Sequence, residues 1–137
     1  MADGLDPFRD PAATREWLHR SGGPTHVPSL SGEERTHLVA HLVEWVDQLG
    51  TRFALDARAL PSCWKQHPGM VEALTALRDF ERGCFTETAP ATAAVEFLGA
   101  LQHIQAFLVD QMALLGCTAQ AHRAPRPTWP SSAPDRQ

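Results

Sequence analysis

The chain of 137 residues has no tyrosine, a single lysine (Lys65), three cysteines and no apolar run near the roughly 18 residues of a membrane span. Each scarcity excludes a class of protein. Without such a run, a helical membrane protein is excluded. The start, Met1-Ala2-Asp3-Gly4-Leu5-Asp6-Pro7, has no basic region followed by an apolar stretch, so a cytoplasmic protein is expected. Cys63, Cys84 and Cys117 are odd in number and far apart, which argues against a disulfide framework and for reduced, buried thiols. No Cys-x-x-Cys pair, no Gly-x-Gly-x-x-Gly turn and no Walker loop occurs, so zinc-finger and nucleotide-binding readings have no support. The basic residues are scattered and the formal net charge is −4. Phosphate-backbone binding needs a local cationic excess, so nucleic acid is a disfavoured partner and a regulator of that kind ranks behind other functions.

What the chain does have is helical periodicity. Asp10-Pro11 followed by Ala12 to Arg20 and Ser21-Gly22-Gly23 predicts a short helix over about 11–20, anchored by Trp17 and Leu18. Ser31-Gly32-Glu33-Glu34 fits a capping box. From there Leu38, Leu42, Trp45, Val46, Leu49 and Phe53 share one face, widened by Val39 and Val43, and the stripe predicts a helix running through Gly50. Pro68 suits the first turn of a second long helix with Met70, Ala73, Leu74, Leu77, Phe80 and Cys84 on one side. A third runs from about 91 to 115, with Ala94, Phe97, Leu98, Leu101, Ile104, Leu108, Met112 and Leu115 forming a broad apolar arc that Gly116 ends. No strand pattern of useful length occurs. The fold class is therefore all-α: a small bundle of three long amphipathic helices plus a short N-terminal one. The expected organisation is an N-terminal arm over 1–30, a helical core over 31–117 and a Pro-rich disordered tail over 118–137, in which Trp129 could anchor a partner groove.

Between the first two long helices, Leu60-Pro61-Ser62-Cys63-Trp64-Lys65-Gln66-His67-Pro68 packs a thiol, an indole and an imidazole into nine residues. It reads as a packed corner in which the prolines set the path, Trp64 and Cys63 fill space, and His67 is held extended by the following proline. Cys63 with His67 is also the pair on which thiol or metal chemistry would rest. The other metal candidate is His37, His41 and Glu44, whose i, i+4, i+7 spacing puts three donors on one helical face suited to zinc or iron. That face lies opposite the Leu38, Leu42, Trp45 stripe, so a hydrated surface is the plainer expectation and no resident cofactor is expected. Glu96, His103 and Asp110, spaced by seven, line a polar edge of the last helix. Glu81 falls inside an apolar face, and neutralisation by Arg78, Arg82 or His67 is the expectation there.

Trp45-Val46-Asp47, the Leu60 to Pro68 segment, Val71-Glu72-Ala73-Leu74 and Leu77-Arg78-Asp79 together resemble small uncharacterised helical proteins of actinobacterial plasmids, prophages and integrative conjugative elements. The resemblance spans roughly residues 33 to 117. It implies a mobile-element setting and transfers no functional residue. The expected function is a non-enzymatic interaction or accessory module with a protein partner, a homo-oligomer being an alternative and a membrane excluded. The second reading is a metal-binding or thiol-dependent protein using the His37, His41, Glu44 face or Cys63 with His67.

Overall fold

The computed structural model describes residues 23–55, 58–118 and 121–123. The short helix expected over 11–20 and the Pro-rich segment with Trp129 lie outside them. Three helices make up the bundle: α1, Gly32–Phe53; α2, Pro68–Cys84; and α3, Ala93–Leu115. No strand occurs among the described residues. α2 is central, packing against α1 and most extensively against α3.

Local chemistry explains the helix ends. The Ser31 hydroxyl accepts from Glu34 N–H at 3.1 Å while Glu34 Oε1 accepts from Ser31 N–H at 2.9 Å, which completes the capping box of α1. The helix continues through Gly50 to Phe53 and stops where Ala54 turns left-handed, with φ 50°. Pro68 occupies the first turn of α2, where its missing N–H costs nothing. Gly116 closes α3 with φ 75° and gives its N–H to Met112 O at 2.9 Å.

The core is built from Leu38, Leu42, Trp45 and Leu49 of α1, Met70, Val71, Leu74 and Leu77 of α2, and Phe97, Leu101, Leu108 and Met112 of α3. Val27, on a 3-10 turn before α1, and Trp64, on another before α2, complete it. Several expected core positions lie elsewhere. Val43, Phe80 and Leu98 are 37%, 41% and 48% exposed, and Ala94 is also exposed. In their place α2 buries Thr75, Arg78 and Asp79. A helix covered on two sides needs a second buried arc, and here that arc is polar and made soluble in the interior by its own hydrogen bonds.

That polar arc joins the start of the described chain to α2. Asp79 accepts from Thr25 N–H at 2.7 Å and pairs with Arg78 at 3.2 Å and Arg82 at 3.5 Å. Arg82 also donates to Gly23 O at 3.0 Å. Burial and the nearby Arg82 push the Arg78 guanidinium down from its usual range, and Asp79 opposes the shift. Residues 23–30 therefore belong to the folded core, which begins earlier than the boundary expected at 31. Glu81, with its side chain 20% exposed, accepts from Trp45 Nε1 at 3.0 Å and pairs with Arg52 at 3.2 Å. Two residues of α1 thus hold the Glu81 carboxylate directly, and Glu81 also favours the charged form of Arg78, one of its expected partners.

Removing Asp79 leaves Arg78 buried without its counter-charge. Asp79→Ala is expected to lower unfolding free energy by about 3 to 5 kcal/mol, the usual effect of breaking a buried pair from one side. Trp64→Ala is expected to cost a similar ~3 to 5 kcal/mol, since the indole is almost fully buried. Urea unfolding of both variants measures this, and a near-zero loss for Trp64→Ala would contradict its role as a core wedge.

Candidate metal centre

The corner before α2 and the turn after α3 meet. Trp64 N–H donates to Pro61 O, Gln66 N–H to Cys63 O and His67 N–H to Trp64 O, so Cys63 to His67 form a tight helical turn. The tight turn keeps Cys63 and His67 close, and His67, extended at its end, brings its ring to 3.4 Å from the Cys63 thiol. His67 then starts α2, its carbonyl accepting from Met70 and Val71, while its own ring makes no cap and is left to face the sulfurs.

The second half comes from the end of α3. The left-handed Gly116 turns the chain back, a φ of 75° that favours glycine, and the flexible Arg123 side chain lies against it. Thr118 N–H donates to Ala121 O at 2.9 Å and Ala121 N–H to the Thr118 hydroxyl at 3.0 Å. This turn returns His122 toward Cys117. Thr118 and residues 121–123, within the segment expected as a tail, are thus placed against the end of α3.

Cys63, His67, Cys117 and His122 each offer one donor atom, and all four atoms lie within 4.8 Å of one another. His67 Nε2 is 3.4 Å from Cys63 Sγ and 3.3 Å from Cys117 Sγ, and His122 Nδ1 is 3.6 Å from Cys117 Sγ. For a tetrahedral zinc ion with Zn–S of about 2.3 Å and Zn–N of about 2.0 Å, the N···S edge comes to about 3.5 Å. The three N···S separations match it. Cys63, His67 and Cys117 are buried, and His122 closes the set from the exposed side, its ring centroid 5.1 Å from that of His67. Arg123 N–H donates to Cys117 Sγ at 3.2 Å, and the Cys117 thiol donates to Arg123 O at 3.5 Å. His67 Nδ1 is buried and has no hydrogen-bond partner among the described residues.

The donor set is Cys-x3-His followed by Cys-x4-His. In the sequence Cys63 and His67 read as a pair, whereas Cys117 reads as a lone structural thiol and His122 falls in the expected tail. The signal was present as two Cys–His pairs of ligand-like spacing, each at a helix boundary, but fifty residues separate them. The outer face of α1 is different. His37 and His41 are half-buried and Glu44 is exposed, and His41 Nε2 accepts from Arg78 Nε at 2.9 Å. His41 serves the buried arginine, and His37, His41 and Glu44 do not form a ligand set among the described residues. Cys84 also stands apart, its thiol pushed up by burial and by Glu96 and Glu81.

Burial, reinforced by Cys117, pushes the Cys63 thiol up, and burial with the neighbouring His122 pushes the His67 imidazole down. Without metal, both groups are therefore favoured neutral. A His with a lowered folded value makes the unfolded chain the better proton acceptor, so stability falls as pH drops below about 6.5. A thiol with a raised folded value makes the unfolded chain the easier proton donor, so stability also falls as pH rises through the ordinary thiol range. Urea midpoints in the presence of chelator should trace a maximum between these limbs. A bound divalent ion should remove the alkaline limb, because the folded state then holds the thiolates.

Comparison with protein-family models, with curated proteins and with solved structures finds no match to this chain.

Proposed function

We propose that this protein is a metal-binding helical module in which one zinc ion, held by Cys63, His67, Cys117 and His122, ties the end of α3 to the corner before α2. The observation that carries this reading is the convergence of two sulfur and two imidazole donors at N···S distances of 3.3 to 3.6 Å. Two thiolates with two imidazoles in a tetrahedral arrangement suit zinc, a borderline ion that takes both donor types. Four protein ligands leave no open position for a substrate or an activated water, so the role is structural. In the mobile-element setting that the resemblance implies, such a module is an accessory protein that presents surfaces to a partner and performs no chemistry of its own.

Untagged full-length protein, purified without chelator, is expected to carry about one zinc per chain. Cobalt substitution should give the visible d–d bands of a tetrahedral sulfur and nitrogen site, together with thiolate charge-transfer absorption. Cys63→Ser and Cys117→Ser should abolish stoichiometric binding, and His122→Ala should weaken it by at least tenfold. His41→Ala should leave it unchanged. Equal metal content in the Cys117→Ser and native proteins, or loss on His41→Ala alone, would overturn the assignment.

A further inference from the structure

Cys63 and Cys117 bring two sulfurs together at the candidate metal centre, their Sγ atoms lying within 4.8 Å of each other. On one tetrahedral zinc with Zn–S of about 2.3 Å, the two sulfurs stand about 3.8 Å apart. A disulfide needs about 2.05 Å. The step from one linkage to the other is therefore a closure of about 1.7 Å. Both cysteines sit outside the long helices, Cys63 on the turn before α2 and Cys117 just past the end of α3. The closure needs a shift of two turns and leaves the helices where they are.

The third thiol is placed differently. Cys84 is the last residue of α2, part of the apolar core, and its thiol is pushed up by burial and by Glu96 and Glu81. A thiol held neutral in this way is a poor nucleophile. The metal centre, in contrast, has one open side. Cys63, His67 and Cys117 are buried, whereas His122, whose Nδ1 is 3.6 Å from Cys117 Sγ, is exposed. A small oxidant entering past His122 meets Cys117 first, with Cys63 as the buried sulfur beside it. A cysteine oxidised next to a second thiolate goes on to a disulfide instead of climbing to the irreversible acids.

We propose that Cys63 and Cys117 form a redox switch, in which hydrogen peroxide converts their metal-bound thiolates into a disulfide and the zinc ion is expelled. The proposal rests on the metal-binding reading for the ion that leaves. The Cys117 thiolate attacks one peroxide oxygen: the S–O bond forms, the O–O bond breaks and hydroxide departs. The Cys63 thiolate then attacks the Cys117 sulfur: the S–S bond forms, the S–O bond breaks and a second hydroxide departs. Two protons from solvent turn both hydroxides into water. Two electrons pass from the sulfurs to the peroxide, and zinc leaves as the divalent ion it was. Two neutral imidazoles are all that remains of the ligand set, too few to hold it. The ends of α2 and α3 stay tied in both states, while His67 and His122 are released only in the oxidised one.

The test titrates zinc-loaded full-length protein with hydrogen peroxide beside a chromophoric chelator, counts thiols and maps unreduced peptides by mass spectrometry. Three free thiols should fall to one, at Cys84, with one zinc released for each peptide pair that links residue 63 to residue 117. Dithiothreitol and added zinc should restore both the thiols and the bound metal. Cys84→Ala should give the same release and the same link, and Cys117→Ser should give no link within the chain. A chain that takes up no zinc before the oxidant is added fails the metal-binding reading, and the switch with it. A chain that loads zinc and then loses thiols without the 63–117 link, or forms that link with zinc retained, overturns the switch and leaves the metal-binding reading standing.

Discussion

The position of the His67 ring between the sulfurs of Cys63 and Cys117 is the constraint on which the rest of the structure depends. It joins two places fifty residues apart in sequence, the corner that starts α2 and the turn that ends α3. Both helices are therefore held at the same end of the bundle. Buried thiols and imidazoles are poor hydrogen-bonding partners for one another, and the unpartnered His67 Nδ1 adds a desolvation cost that the interior does not return. An arrangement that is mediocre as a hydrogen-bond network but matches the edges of a tetrahedral ligand set is better explained by the ion it would hold than by the contacts it makes alone.

At the opposite functional pole of α2, Asp79 ties down the segment before α1 through Thr25, and Arg78 reaches across to His41. The two polar clusters bracket an apolar core contributed by all three helices. Because α2 takes part in both, it has the widest buried surface of the three, and it tolerates buried charge only through paired partners. Arg78 and Asp79 are adjacent in sequence yet both buried, which local periodicity would assign to an outer face.

The helices were legible in the sequence because each is announced at its ends: Ser31 and Glu34 as a capping box, Pro68 in a first turn, Gly116 as a stop. One face of each helix was legible for the same reason, through spacing. The second buried arc of α2 was not, because a polar residue in a periodic pattern reads as solvent-facing until its partners on other segments are known. Phe80 was assigned inward by that pattern and lies at the surface, while Asp79 beside it is buried. The candidate metal site was half legible. Cys63 and His67 are local to one turn, but Cys117 and His122 join them only through the relative placement of α2 and α3, which no local pattern encodes. Proline content beyond Arg123 further disguised His122 as part of a tail.

A disulfide between Cys63 and Cys117 would also join the two ends, and the choice between the two linkages follows from what surrounds the sulfurs. A disulfide uses two sulfurs and gains nothing from imidazoles beside it, yet here His67 Nε2 contacts both sulfurs and His122 Nδ1 completes the set. A metal would use all four groups, displacing only the two thiol protons, so that its charge offsets the burial that pushes the Cys63 thiol up, and it would take His67 in the neutral form that burial already favours. Tying residue 63 to residue 117 closes a long loop that contains both α2 and α3, and cross-links over long loops remove the most entropy from the unfolded chain. For a core of three helices, in which the middle one buries an arginine and an aspartate, a link of that span at one end would stabilise the whole bundle instead of one turn of it.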